Sequence, residues 1–124
     1  MNHNSGPFLI VDDESEICWA LERILTKKGG VCQTALNAKE AIALAQRQPF
    51  RMAFLDAKLP DIDGLDLARR LRESDPHLAI VIVSGYLYQD DPAIEGALHS
   101  GLISAFVAKP FAHGEILRVI KGKD

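Results

Sequence analysis

Short, unbroken apolar runs alternate in this chain with longer stretches whose apolar residues recur every three or four positions. Phe8-Leu9-Ile10-Val11, Met52-Ala53-Phe54-Leu55 and Ala79-Ile80-Val81-Ile82-Val83 are the unbroken runs. Each is bounded by polar residues and is short for a helix, which reads as a strand buried on both faces. Val31 to Ala35 reads as a weaker second strand and Ser104 to Ala108 as a fifth. Between them, Ile17, Ala20, Leu21, Ile24 and Leu25 recur at helical spacing, with Ser15 as an expected N-cap and Gly29-Gly30 as the stop. Asn37 followed by Glu40 is close to a capping box and opens a helix carrying Ala41, Ile42, Leu44 and Ala45. Leu67, Ala68 and Leu71 mark a third helix. Pro92 begins a fourth with Ile94, Ala97 and Leu98 facing inward, and Ile116, Leu117 and Ile120 mark a last short one.

Strict strand–helix alternation implies an α/β fold: a doubly wound parallel sheet of five strands with helices on both faces. No repeat or linker interrupts it. One domain over 8–121 is expected, with 1–7 a disordered lead and 122–124 a tail. The 124 residues are 48% hydrophobic, enough for a real core. Fourteen basic against seventeen acidic residues, a net charge of -3, argue against direct nucleic-acid binding, which favours a basic face. No apolar run approaches the roughly 18 residues of a membrane span. The first residues lack a basic-then-apolar signal pattern. Cys18 and Cys32 both fall in expected core elements. A reducing, cytoplasmic setting is therefore simpler than a disulfide.

The chemistry collects where strands stop. The first strand ends at Asp12-Asp13, the third at Asp56, the fourth at Ser84 and the fifth at Lys109. In open α/β sheets, sites form at the carboxyl ends of the strands. Spacing alone leaves the strand order open. If the ends converge, three carboxylates share one crevice. Two unit charges about 4 Å apart repel by about 4 kcal/mol at an effective dielectric near 20. A divalent cation relieves that repulsion, and hard oxygen ligands with open water positions suit Mg²⁺. A carboxylate can attack phosphorus to give an acyl phosphate, with the metal and Lys109 neutralising charge and Ser84 donating a hydrogen bond.

Over essentially its whole length the chain resembles the receiver (CheY-like) domain of two-component response regulators. The matching residues are Val11-Asp12-Asp13-Glu14, Asp56 after Phe54-Leu55, Pro60-Asp61-Ile62-Asp63-Gly64, Ser84-Gly85 and Lys109-Pro110-Phe111. The resemblance implies a sheet order of 2-1-3-4-5 and a flavodoxin-like fold. It makes Asp56 the acceptor of a phosphoryl group from a histidine kinase or phosphotransfer domain. It places Mg²⁺ on Asp13, Asp56 and the backbone carbonyl of Lys58, with Asp12 acting through water. It implies a cis Lys109-Pro110 peptide and a switch running from Ser84 to Phe106. The fourth-helix and fifth-strand face would carry output, including homodimerisation. Such a chain is a signalling switch that catalyses only its own phosphorylation and dephosphorylation. Two departures stand out. The stretch from Ser84 to Lys109 is a few residues longer than the family pattern, around 85–92 and Leu102-Ile103. Phe106 stands where Tyr is commoner. The resemblance also implies that Lys58 and Tyr86 occupy the positions that flank the path of attacking water.

Each motif also has a plainer explanation. Asp12-Asp13 could cap a helix, Asp56 could be a turn residue, and Lys109-Pro110 a surface turn. These explanations must hold at four strand ends independently. Asp61-Ile62-Asp63-Gly64 lacks the preceding strand or closing Glu of other Asp-x-Asp sites and reads as a turn. His3, His77, His99 and His113 have no metal spacing. Trp19 falls nearly opposite the core stripe of its helix. It is expected either to cover the Arg23 stem or to contact a partner. Two other functions compete with the switch: an interaction module with a vestigial site, and an aspartyl-phosphate phosphohydrolase.

Overall fold

The computed structural model describes residues 6–85 and 90–122. Ten elements alternate along the chain: β1 (Phe8–Val11), α1 (Ser15–Lys27), β2 (Cys32–Ala35), α2 (Ala38–Arg47), β3 (Met52–Asp56), α3 (Gly64–Ser74), β4 (Ala79–Ser84), α4 (Pro92–Ser100), β5 (Ala105–Ala108) and α5 (His113–Lys121). The strands form one parallel sheet in the order β2-β1-β3-β4-β5. The expected lead and tail lie mostly outside the described residues, as do residues 86–89 of the lengthened loop.

Alternation along each strand divides the core into two layers. Leu9, Val11, Ala53, Leu55, Ile80 and Ile82 face α2, α3 and α4. Phe8, Ile10, Met52, Phe54, Val81 and Val83 face α1 and α5. The three apolar runs are thus buried on both faces, as their unbroken pattern requires. β2 differs because it is an edge strand. Its burial is mixed, Val31 outside it is exposed, and Cys32 is only half-buried. The expected strand therefore shortens by one residue, and only Cys18 is a core cysteine. Both thiols are free, and burial pushes each up to about 11.

The expected cap at Ser15 is replaced by Glu14, whose backbone is extended. The Asp12 Oδ1 accepts from the Glu14 amide at 2.9 Å, so the turn is stabilised from further upstream and Ser15 is already helical. Gly29 adopts φ 84°, a left-handed conformation suited to its place after α1. In α2, Asn37 accepts from the Glu40 amide at 2.8 Å as expected, whereas Glu40 accepts from Leu36 rather than completing the box.

Arg72 ties the far end of α3 to two connections. Its guanidinium donates to the carbonyls of Pro76 and Leu78, and at 2.8 Å to Leu102 in the stretch between α4 and β5. The end of α4 is thereby fastened to α3, close to one of the two places where extra residues were expected. Loss of charge-assisted bonds to half-buried carbonyls leaves acceptors unsatisfied. Arg72→Ala is expected to lose about 2–3 kcal/mol in urea denaturation. Arg69→Ala removes only an exposed pair with Asp66 and should stay within about 0.5 kcal/mol of the parent.

Candidate functional site

Because the strands are parallel, their carboxyl ends share one edge of the sheet. Register aligns Val11 with Leu55, Asp56 with Val83 and Ser84 with Ala108. Asp12 and Asp56, one residue beyond and at the end of adjacent strands, are consequently neighbours. Both are buried, at 2% and 4% exposure, and Ser84 is the other buried polar residue among those described. Asp13 is exposed. Carboxylate oxygens of Asp12, Asp13 and Asp56 all lie within 4.8 Å of one another. Asp13, Glu14, Asp56, Lys58, Leu59 and Pro60 line an open cleft of about 220 Å³ over them.

Lys109 supplies the counter-charge. Its amide donates to the Ser84 carbonyl at 2.9 Å, which fixes the start of the loop after β5. Its stem runs beside Gly85, where an added Cβ would lie 3.7 Å from the Lys109 Cβ. Nζ then reaches Asp12 at 2.8 Å, Glu14 at 3.1 Å and Asp56 at 3.6 Å. The Lys109-Pro110 peptide is cis. Burial works to lower the Lys109 pKa, but hydrogen bonds and charge from Asp12, Asp56 and Glu14 outweigh it and leave it raised. Asp56 moves up as well. Burial is the main cause and the Asp12 charge the second, with Lys109 pulling back only in part.

The third carboxylate needs its backbone held. Gly64 N donates to the Ala57 carbonyl at 2.8 Å, and Lys58 bridges to Asp63. A Cβ on Gly64 would meet the Asp56 carbonyl oxygen at 2.2 Å, so only glycine lets α3 start this close to the end of β3. Asp63 accepts from Leu65 at 2.8 Å and starts α3, in keeping with its reading as a turn before a helix. The donors fit a hard divalent cation: oxygen ligands, excess negative charge and an open side.

The sequence-derived residues divide by place. Asp12, Asp13, Asp56, Lys58 and Lys109 come together. Ser84 ends the neighbouring strand, sharing the sheet face of Ile80 and Ile82 by alternation. Phe106 aligns with Ile82 and is half-buried against the layer that contains Ile94 of α4. Trp19 is apart from the cluster. It is 59% exposed, and the Arg23 guanidinium lies 4.8 Å from its ring centroid, which is the covering arrangement. Tyr86 lies outside the described residues. Glu14 was not singled out by its sequence position, yet it pairs with Lys109. Its adjacency to the acidic pair was the available signal. A larger cleft of about 420 Å³ lies between the ends of α2 and α3, at the opposite edge of the sheet, without a converging set of reactive groups.

Residues 8–121 match the family model for the response regulator receiver domain. The chain is 33% identical over 117 residues to the DNA-binding transcriptional regulator NtrC of Proteus hauseri, covering 94% of this chain and 24% of that protein. It spans well under two thirds of that relative's length. A CheY-like receiver domain protein from Methanospirillum hungatei JF-1 superposes with a TM-score of 0.86 at 28% identity, covering 95% of this chain and 92% of that one. The response regulator TrrA of Thermotoga maritima, solved with Mg²⁺-BeF, gives a TM-score of 0.82 at 26% identity, covering 96% of this chain and 99% of that one.

The electrostatics predict a stability effect. Folded Asp56 keeps its proton to higher pH than the unfolded chain does. Its contribution to stability is present below the unfolded pKa and is lost as pH rises through the folded pKa. In metal-free buffer at pH 7, Asp56→Asn should melt about 3–8 °C above the parent, the shift about 1 kcal/mol produces in a domain of this size. The gap should close as pH falls toward 4. Thermal melts across pH would show it, and a lower melting temperature for Asp56→Asn at pH 7 contradicts the repulsion argument.

Proposed function

The chain belongs to the response regulator receiver domain family, and from that premise we propose that Asp56 accepts a phosphoryl group from the phosphohistidine of a histidine kinase or phosphotransfer domain. The observation that carries this reading is the buried Asp56 carboxylate at the base of an open acidic cleft, with Lys109 alongside. An Asp56 oxygen bonds to phosphorus as the phosphorus–nitrogen bond breaks, and the imidazole leaves with the electron pair. Asp13, Asp56 and the Lys58 carbonyl would hold Mg²⁺, with Asp12 acting through water, and the cation would supply charge neutralisation for the transferred group. Both Asp12 oxygens already accept hydrogen bonds, from the Glu14 amide and from Lys109, which supports its indirect role. Lys109 rests closer to Asp12 and Glu14 than to Asp56, so a modest shift brings its ammonium onto a phosphoryl oxygen.

The chain is then a signalling switch, and a kinase partner of this kind places it in the cytoplasm. Ser84, at the end of the strand beside Asp56, donates to the phosphoryl group. Phe106 turns into the space this opens and has no hydroxyl whose hydrogen bond must break. The α4–β5 face changes shape and carries output, including pairing with a second copy. Lys58 at the cleft, with Tyr86, slows hydrolysis. A kinase docking on α1 would meet Trp19, which is exposed beside Arg23. The complete set of acids and Lys109 argues against a vestigial interaction module. The small open cleft argues against a dedicated phosphohydrolase.

A small phosphodonor with Mg²⁺ is expected to add one alkali-labile phosphoryl group, read by intact mass. Asp56→Asn should remain unlabelled. Label in that variant would reassign the acceptor, whereas sustained turnover without label would favour the hydrolase.

Ser84→Ala is expected to take label at Asp56 yet lose the response of its output face. Amide exchange from Asp90 to Phe106, with and without beryllofluoride, reads this directly. The response is a population shift of a few kcal/mol, so removing the donor should cut it severalfold. A full response in Ser84→Ala would rule out this route.

A further inference from the structure

The first four amides of α2 have a complete account, and half of it comes from outside the helix. A helix start leaves these N–H groups without intrahelical acceptors. Asn37 satisfies the Glu40 amide with its side chain at 2.8 Å and the Ala41 amide with its carbonyl at 3.2 Å. The Ala38 and Lys39 amides instead donate to Oδ1 and Oδ2 of Asp61, each at 3.0 Å. A carboxylate at a helix N-terminus also meets the positive end of the helix dipole. The Ala38 bond first, then Lys39, holds the Asp61 carboxyl below its usual range, as expected for an ionised cap.

Asp61 belongs to the loop between β3 and α3, which also contains Lys58, Leu59 and Pro60 of the acidic cleft. The base of this loop is closed by the Gly64–Ala57 hydrogen bond and the Lys58–Asp63 bridge. Its tip projects beyond those contacts, and the two bonds from α2 fasten it. We propose that Asp61 is a positioning residue. By clamping the loop tip to the start of α2, it holds Lys58 over the Asp13–Asp56 pair and so sets the affinity of the site for a divalent cation. The inference rests on the metal reading of that cleft. It adds that α2, which contributes no residue to the cleft, is coupled to it through one carboxylate.

The test separates a clamp from an ordinary cap. Asn37→Ala removes the side-chain acceptor of the Glu40 amide from the same capping arrangement, keeps the backbone carbonyl that serves Ala41, and leaves the loop tip tethered. Asp61→Ala removes the tether as well as a cap, and Asp61→Asn retains one acceptor oxygen. Each variant and the parent would be titrated with Mg²⁺ by calorimetry, with thermal melts alongside. Both alanine variants should melt below the parent. Mg²⁺ affinity should fall about 3- to 10-fold in Asp61→Ala, less in Asp61→Asn, and stay within about twofold in Asn37→Ala, since a coupling of about 1 kcal/mol is about fivefold. If Asp61→Ala binds Mg²⁺ as the parent does while melting lower, Asp61 is a helix cap only and the proposal is overturned. If Asn37→Ala loses affinity as much as Asp61→Ala, the effect follows helix stability and the clamp is again overturned. Failure of the underlying metal reading has a different signature: the parent itself would bind no Mg²⁺.

Discussion

Like charges at the ends of adjacent parallel strands repel, and the structure turns on how that repulsion is contained. Asp12 and Asp56 are driven together because β1 and β3 are neighbours and both run toward the same edge. Burial strengthens their interaction, since less water screens it. Lys109 crosses from beyond β5, past the end of β4, to lie against both. Its stem can take that course because Gly85 presents no side chain there. The compensation is partial. Asp56 remains more reluctant to ionise than an ordinary carboxylate, and that residual tension favours a cation that relieves it.

Holding a strained acid cluster open to solvent requires rigid surroundings. On one side the unbroken apolar strands provide them, packed on both faces. On the other, a loop does so through close backbone approach and borrowed caps. Gly64 brings α3 against the Asp56 carbonyl, and Asp61 reaches from the same loop to the start of α2. A segment that is formally a connection is therefore tied to two helices and a strand. Such ties let the exposed rim of the cleft keep its shape while remaining accessible to a partner.

The α4–β5 side is built more loosely. β5 is short and only partly buried, and Phe106 is half-covered where β4 and α4 meet it. Arg72 fastens the far end of α4 to α3. A firm acid cluster thus shares the fold with a less firmly packed face.

The elements and the strand-end residues were legible in the sequence because both are local properties. An unbroken apolar run identifies a strand buried on two faces, a period near 3.6 identifies a helix, and Asp12, Asp13, Asp56, Ser84 and Lys109 follow the runs directly. Trp19 opposite its core stripe was legible for the same reason. Contacts made only in the folded chain were not. Ser15 looked like the cap of α1 until Asp12 folded back onto Glu14. Cys32 looked like core until β2 became an edge. Glu14 gained its partner from 95 residues away and Asp61 its two amides from 23 and 22 residues away. A side chain's local pattern records which face it shares, whereas the groups brought within hydrogen-bond reach of it depend on how the sheet is ordered and how its loops close.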